Sequence, residues 1–133
     1  MLAKPRMTSC TEGPAAAAEG EVVVSVTDFS RDHLLDTPGI VAAGVRLRLG
    51  WYAMRGAVGL WLWSIPLSRR SGSISVWESE DDLRGFVALP KHVAIMSHYR
   101  ERGTLHSTTW VAERFDRAEV LDGAVAWITD GAR

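Results

Sequence analysis

The sequence predicts an α+β fold, the ferredoxin-like βαββαβ arrangement, in which an antiparallel sheet carries helices on one face. Four stretches rich in β-branched and aromatic residues are typical of strands: 21–29, 59–66, 73–78 and 105–115. Helical spacing appears between the first and second of these stretches and again between the third and fourth. The order strand, helix, strand, strand, helix, strand therefore favours one antiparallel sheet with its helices on the same side.

The first strand follows from strict alternation. Val22, Val24 and Val26 share one face, and Val23 shares the other face with a serine and a threonine. The first helix then begins at Pro38, since proline is favoured at the first helical position. Apolar residues recur through 40–49 with helical spacing, and Gly50 is a plausible end of the helix.

The second and third strands pack differently. Residues 59–66 place apolar side chains on both sides, which predicts a strand covered on both faces. Residues 73–78 place Ile74 and Val76 on one face and Ser73, Ser75 and Trp77 on the other. A turn, SRRSG, joins these two strands.

The second helical region begins with a cap. The Ser79 hydroxyl can accept a hydrogen bond from the amide of Asp82, and the acidic residues around it suit the positive end of a helix. Leu83, Phe86 and Val87 then form a buried stripe. Pro90 ends this helix and begins another, in which four residues share a face at spacings of three, four and seven: His92, Ile95, Met96 and Tyr99.

The last part of the sequence predicts a strand at 105–115, with His106, Thr108 and Trp110 on one face. We expect a short helix or turn at 117–121 and a final short strand, AVAWI, at 124–128. A sheet with helices on one face leaves its other face bare. We expect that bare face to carry Trp77 and Trp110 and to be covered by a second copy of the chain.

Composition excludes several classes. The 133-residue length suits one domain, which we place at 20–133, after a disordered small-residue tail at 1–19. The formal net charge of −1 provides no excess of cations for phosphates, so nucleic acid is not an expected partner. No segment predicts a signal peptide or a membrane span. A single cysteine excludes an internal disulfide and a cysteine metal cluster, which fits a cytoplasmic protein.

The stretch SISVWESEDDLRGFV followed by PKHVAIM resembles the strand–helix signature of the dimeric α+β-barrel superfamily. That superfamily includes antibiotic-biosynthesis monooxygenases, spheroidene monooxygenase-like proteins and haem-handling barrels. The matching residues are Trp77 and Glu78 at the strand end, Leu83 and Phe86 on the helix, and the triplet 90–92. The resemblance implies a homodimeric barrel that binds a small molecule in an apolar chamber between sheet and helices.

Two histidines are the candidate catalytic residues. His92 could serve as a general base or as an axial haem ligand; alternatively, it hydrogen-bonds a backbone carbonyl at the start of its helix. His106 shares a strand face with Trp110, so it lies either in an apolar chamber or exposed at a rim. We assign no metal site, since Asp28, His33 and Asp36 follow no known ligand spacing.

Trp77, Trp110, Phe86 and Ser75 are the candidate ligand-binding residues. Core and interface packing is the alternative role for the tryptophans. Three functions remain open at this stage. The resemblance favours a monooxygenase that needs no cofactor and acts on an aromatic or polyketide-like substrate. A haem-binding protein and a non-catalytic dimerisation module are the alternatives.

Overall fold

The computed structural model of the protein describes residues 4–130. It contains six strands and four α-helices, and every pair of neighbouring strands is antiparallel. In chain order the elements are β1 (Arg6–Met7), β2 (Thr11–Glu12), β3 (Val22–Arg31), α1 (Thr37–Gly50), β4 (Ala57–Ser64), β5 (Arg70–Trp77), α2 (Glu80–Val87), α3 (Pro90–Tyr99), β6 (Gly103–Ala112) and α4 (Arg117–Asp130). The strand order across the sheet is β1-β4-β5-β3-β6, and β2 also pairs with β4. The predicted antiparallel α+β fold is therefore confirmed.

Strand register divides the sheet into two faces, which we name by what lies over them. Val24 of β3 is paired with Trp110 of β6, so both side chains lie on the face that α4 covers, the α4 face. Val23 is paired with Trp77 of β5 on the opposite face, which lies toward α1, α2 and α3 and is called the cleft face. A bulge between Ala57 and Gly59 brings β4 into this register.

The α4 face carries the larger core. Eleven buried residues form it: Val22, Val24, Val26, Val58, Trp61, Trp63, Ile74, Val76, Val120, Ala124 and Ile128. The last three lie on α4 at spacings of four, so a single stripe of that helix covers the valines of the sheet.

The predicted final strand at 124–128 is wrong, because these residues lie inside α4. The sequence AVAWI alternates over only five residues, whereas Val120, Ala124 and Ile128 repeat at helical spacing over nine. Burial of that longer stripe favours the helix over the strand. Trp127 consequently lies on a helix and packs against the edge of the α4 face.

The expectation of one bare, tryptophan-bearing face is also corrected. Trp77 and Trp110 lie on opposite faces of the sheet, and α4 covers the α4 face within a single chain. Trp61 and Trp63 are each 3% exposed there. A bare apolar face is therefore no longer an argument for face-to-face dimerisation, and the homodimer itself stays a prediction.

The stretch expected to be a disordered tail contributes to the sheet. Arg6 and Met7 pair with the end of β4, and Thr11 and Glu12 pair with its beginning. Between these strands, the Thr8 amide donates to the Leu62 carbonyl at 2.9 Å. Backbone pairing along an open strand edge orders this segment without an apolar pattern of its own, and residues 1–3 lie outside the described part of the chain.

The helix boundaries follow local chemistry. The Ser79 hydroxyl accepts a hydrogen bond from the Asp82 amide at 3.2 Å, which is the predicted cap of α2. Pro90 is the first residue of α3, as its missing amide allows. In the described residues, no helix has the length and apolar content needed to cross a membrane.

Candidate functional site

The candidate site is the space between the cleft face and helices α1, α2 and α3. Tyr99 at the end of α3 meets Phe29 of β3 edge-on, with ring centroids 5.9 Å apart. Leu47 of α1 and Phe86 of α2 pack around Trp77 at the other end. These contacts hold the helices over the sheet, yet no residue of α1 or α3 is fully buried. Both helices are therefore less closely packed on the sheet than α4, which has three buried residues on the other face.

A set of hydroxyl side chains covers the middle of the cleft face. Register pairs Ser25 with Ser75 and Thr109, and pairs Thr27 with Ser73 and Ser107. We call these six residues the hydroxyl floor: Ser25, Thr27, Ser73, Ser75, Ser107 and Thr109. Ser25 and Ser75 are each 8% exposed, whereas the two β6 members are exposed. The floor thus opens toward β6.

The central strands use part of this floor for their own pairing. The Thr27 and Ser73 hydroxyl oxygens lie 2.9 Å apart, and Thr27 Oγ1 also accepts the Ser73 amide at 3.0 Å. The Ser75 hydroxyl accepts the Trp77 indole N–H at 3.0 Å. The hydroxyls of Thr27, Ser73 and Ser75 are thereby held in fixed positions.

A row of aromatic side chains lies at the end of the cleft formed by α2. Trp51 meets Trp77 with centroids 4.9 Å apart, Trp77 meets Phe86 at 5.2 Å, and Phe86 meets His92 at 4.6 Å. Trp51 and Trp77 are both 0% exposed. Trp77 consequently supports Phe86 and Ser75 from behind and is not itself open to a ligand, which is the packing role considered for it from the sequence.

His92 is the half-buried outer member of this row. Its Nδ1 lies 3.1 Å from the carbonyl oxygen of Val87, the last residue of α2. A carbonyl can only accept, so Nδ1 carries the proton and donates, and Nε2 keeps its lone pair. The bond satisfies one of the free carbonyls at the end of α2 and fixes the ring. This is the carbonyl contact that the structural alternative predicted.

Burial lowers the pKa of His92 below its ordinary value, and the hydrogen bond to Val87 partly opposes this shift. The ring is therefore neutral near pH 7. A neutral imidazole with a fixed tautomer and a free Nε2 can accept a proton or bind a metal centre.

His106 and Trp110 lie on the α4 face, so the sheet separates them from His92. His106 is exposed and is paired across the strands with Asp28, whose carboxylate is held by Arg70. The Trp110 ring lies against Gly123 of α4, where an added Cβ would come within 3.3 Å of it. Four of the six predicted site residues are thus brought together, namely His92, Phe86, Trp77 and Ser75, and two are not.

The carboxylates considered as metal ligands are engaged separately. Asp28 is bound by Arg70 at 2.5 Å, and Asp36 is bound by Arg102 at 2.9 Å. Across residues 4–130, no group of three or more histidine, cysteine, aspartate or glutamate side chains is arranged to hold a metal ion.

The hydroxyl floor was not identified from the sequence as a site. The alternation of Ser25 with Thr27 and of Ser73 with Ser75 is readable from the sequence, but it equally fits ordinary contacts between paired strands. Placing all six hydroxyls on one face requires the register of three strands, which the sequence does not give.

No protein-family model and no curated protein matches the sequence. Solved structures do match it. A monooxygenase-like protein from Listeria innocua has a TM-score of 0.63 at 16% identity, over 84% of this chain and 65% of that one. A haem-degrading enzyme from Listeria monocytogenes has a TM-score of 0.61 at 17% identity, over 79% of this chain and 68% of that one. SnoaB, a cofactor-independent oxygenase from Streptomyces nogalater, has a TM-score of 0.60 at 17% identity, over 73% and 98%.

At these identities the likeness concerns the fold, and it confirms the fold that the sequence resemblance implied. The chain spans 57% of the length of another matching structure, a ferredoxin-fold protein from Listeria monocytogenes related to antibiotic biosynthesis monooxygenases. The names of these proteins cover different chemistries, with and without haem.

Proposed function

We propose that this protein binds an oxygenated aromatic small molecule in the cleft, and that His92 acts there as the general base of a cofactor-independent monooxygenation. The names of the matching structures support small-molecule chemistry on this fold, SnoaB being one cofactor-independent oxygenase among them. The proposal for this chain depends on its own residues.

The state of His92 is the observation that carries the proposal. Its Nδ1–H is held by the Val87 carbonyl, its pKa is lowered by burial, and Phe86 covers one side of the ring. A general base must be unprotonated at working pH and must present its lone pair in a fixed direction. His92 meets both requirements.

The hydroxyl floor supports the substrate class. Ser107 and Thr109 are exposed toward the cleft, and Thr27 and Ser73 are partly exposed beside them. Hydroxyls in a row can donate to and accept from phenol and ketone oxygens. Helix α3 also has exposed apolar side chains, with Val93 49% and Met96 36% exposed. A flat molecule with apolar faces and several oxygens fits such surroundings.

The reaction balances without a bound cofactor. Nε2 of His92 takes a proton from an acidic C–H group of the substrate, and the carbanion that remains reduces molecular oxygen. One oxygen atom ends in a new carbonyl group of the product, and the other leaves as water with the two hydrogens of the substrate carbon. The protein contributes proton removal and a partly dry surface.

Oxygen consumption by the purified protein tests this proposal. The substrate is an aromatic ketone with an acidic C–H group, and the buffer contains a metal chelator and no flavin. His92→Asn is the informative variant, because the asparagine N–H can still donate to the Val87 carbonyl while the Nε2 base is lost. We expect the turnover of His92→Asn to fall by roughly 100-fold or more.

His106→Asn is the matched control, since His106 lies on the other side of the sheet. It should retain the turnover of the unmodified protein. If His92→Asn keeps full turnover while its circular dichroism is unchanged, His92 is not the base and the proposal fails.

Haem binding is the second candidate, and the same free Nε2 favours it. A single imidazole with a fixed tautomer is a suitable axial ligand. Bound haem would supply an iron centre for oxygen activation, with His92 as the residue holding it. Absorbance titration separates the two candidates: a Soret shift that is lost in His92→Asn and kept in His106→Asn would favour haem, and no shift would remove it.

A further inference from the structure

The two edges of the sheet differ in whether further strands pair with them. At one edge, β4 is covered by two strands of two residues each, β1 and β2. At the other edge stands β6, which is ten residues long and, within residues 4–130, pairs with β3 alone. Every second residue of β6 therefore presents a backbone N–H and C=O outward with no strand to receive them.

Nothing in β6 protects this edge. Natural edge strands are usually short, bulged, or marked by proline or charged side chains that prevent pairing with another chain. The ten residues GTLHSTTWVA contain no lysine, arginine, aspartate, glutamate or proline. Most of them are exposed, including Leu105 at 40% and Val111 at 55%. A long, uncharged and exposed edge is a template for strand addition.

The side chains of β6 match those of a second, antiparallel β6. An antiparallel pair across a two-fold axis keeps the two faces of the sheet continuous, so residues opposite each other must be separated by an even number. With Thr108 opposite itself, Trp110 faces His106 of the second copy and Leu105 faces Val111. Aromatic then faces aromatic, apolar faces apolar, and Ser107 faces Thr109.

The neighbouring register is poorer. With Ser107 opposite itself, Leu105 would face Thr109, and Trp110 would face Thr104. Cross-strand pairs of like character stabilise a sheet by about 0.2 to 1 kcal/mol each, so the matched register is the favoured one.

We propose that the edge of β6 is an interaction surface for a second copy of this chain, paired antiparallel about Thr108. The two sheets become one continuous sheet, and the α4 faces of both copies lie on the same side. This assembly differs from the face-to-face dimer expected from the sequence, because it uses the sheet edge that the structure leaves free. It brings Ser107 of each copy beside Thr109 of the other on the cleft faces, and it does not depend on the proposed chemistry.

Cysteine crosslinking tests the register in the full-length protein. Cys10, the one native cysteine, is first replaced by serine. In that background Thr108→Cys lies opposite its own copy, where opposed Cβ atoms of an antiparallel pair are about 4.5 to 5.5 Å apart. We expect rapid formation of a disulfide-linked dimer under mild oxidation, seen on a non-reducing gel.

Thr104→Cys is the matched control. It is exposed on the same face of β6, but in the proposed pairing its two copies lie eight residues apart along the strands, about 27 Å at 3.4 Å per residue. It should not crosslink with itself. A mixture of Leu105→Cys and Val111→Cys should form a disulfide between the two variants. Neither variant should crosslink when it is oxidised alone.

Sedimentation of the unmodified protein gives an independent measurement. We expect a concentration-dependent dimer, and we expect Thr108→Lys to weaken it by about tenfold or more, since two ammonium groups would then face each other. Crosslinking of Thr104→Cys as fast as Thr108→Cys, dominance of Ser107→Cys, or a monomer at every concentration would each overturn the proposal. A circular dichroism spectrum that matches the unmodified protein confirms that each variant is folded.

Discussion

The two faces of the sheet differ in how they are packed. On the α4 face, Val22, Val24, Val26, Ile74 and Val76 are each 0% exposed beneath a helix whose stripe fits them. On the cleft face, the corresponding rows of β3 and β5 carry serine and threonine, and the helices above them have no fully buried residue in α1 or α3.

The two faces therefore contribute differently to folding stability and to the exposure of polar groups. Apolar burial, at about 25 cal/mol per Å², makes the α4 face the main source of folding free energy. The cleft face gives up part of that burial and keeps polar groups within reach of solvent. Regions that bind ligands are commonly less tightly packed than the core that supports them. Substitutions on the α4 face should therefore cost more stability than substitutions on the cleft face.

The largest effect is expected from the ion pair at the rim of the α4 face. Arg70 donates to Asp28 and also to the Ile128 carbonyl at 2.7 Å, which ties the end of α4 to the sheet. Asp28→Ala leaves the Arg70 guanidinium, whose side chain is 16% exposed, without a carboxylate to balance its charge. We expect a loss of about 3 to 5 kcal/mol in the free energy of unfolding, measured with urea. A loss below about 1 kcal/mol would show that water replaces Asp28.

A direct comparison of neighbours on β5 comes next. Ile74→Ala removes a fully buried side chain from the α4 face and should cost about 2 to 5 kcal/mol. Ser73→Ala, on the cleft face, removes one hydroxyl contact to Thr27 and should cost less than about 1.5 kcal/mol. Equal losses in the two variants would mean that the faces contribute equally to stability.

The bond between Ser75 and Trp77 is expected to give a smaller effect than Ile74→Ala. Ser75→Ala leaves the buried indole N–H of Trp77 without its acceptor at 3.0 Å, at a cost of about 1 to 3 kcal/mol. The near-ultraviolet circular dichroism of the tryptophans should change as well. Ser75→Thr keeps the hydroxyl and should retain most of the stability. If it loses as much stability as Ser75→Ala, packing around residue 75 matters more than its hydrogen bond.

The pH dependence of His92 is the smallest of the four effects. Its folded pKa is lowered by burial, so the unfolded chain binds the proton more readily. The contribution of His92 to stability is complete above its ordinary pKa of about 6.5 and is lost as the pH falls through the lowered value. Urea midpoints between pH 8 and pH 5 should therefore fall more steeply in the unmodified protein than in His92→Asn. Parallel pH curves for the two proteins would contradict a lowered pKa of His92.

Much of the fold was predictable, because local signals and tertiary packing agree. The alternation of Val22 to Val26, the Ser79 cap and the position of Pro90 each correspond to an element of the structure. The prediction failed where local pattern and packing disagree. Residues 124–128 alternate like a strand, yet they belong to a longer helical stripe, and residues 6–12 have no pattern but pair with β4.

The site was predictable only within one element at a time. Trp77, Phe86 and His92 lie on a continuous strand–helix–helix segment, so their proximity follows from the sequence. His106 and Trp110 lie on another strand, and their side of the sheet depends on the pairing of β6 with β3. A shift of one residue would reverse it, which is why the sequence alone could not exclude His106.

The position of α4 in the chain has a consequence for synthesis in the cell. The valines of β3 leave the ribosome long before Val120, Ala124 and Ile128, which shield them. At 5 to 20 residues per second, the intervening translation lasts roughly 5 to 20 seconds. During that interval the nascent chain carries an unshielded apolar surface, and chaperones that recognise such surfaces have time to bind it before the last helix closes the core.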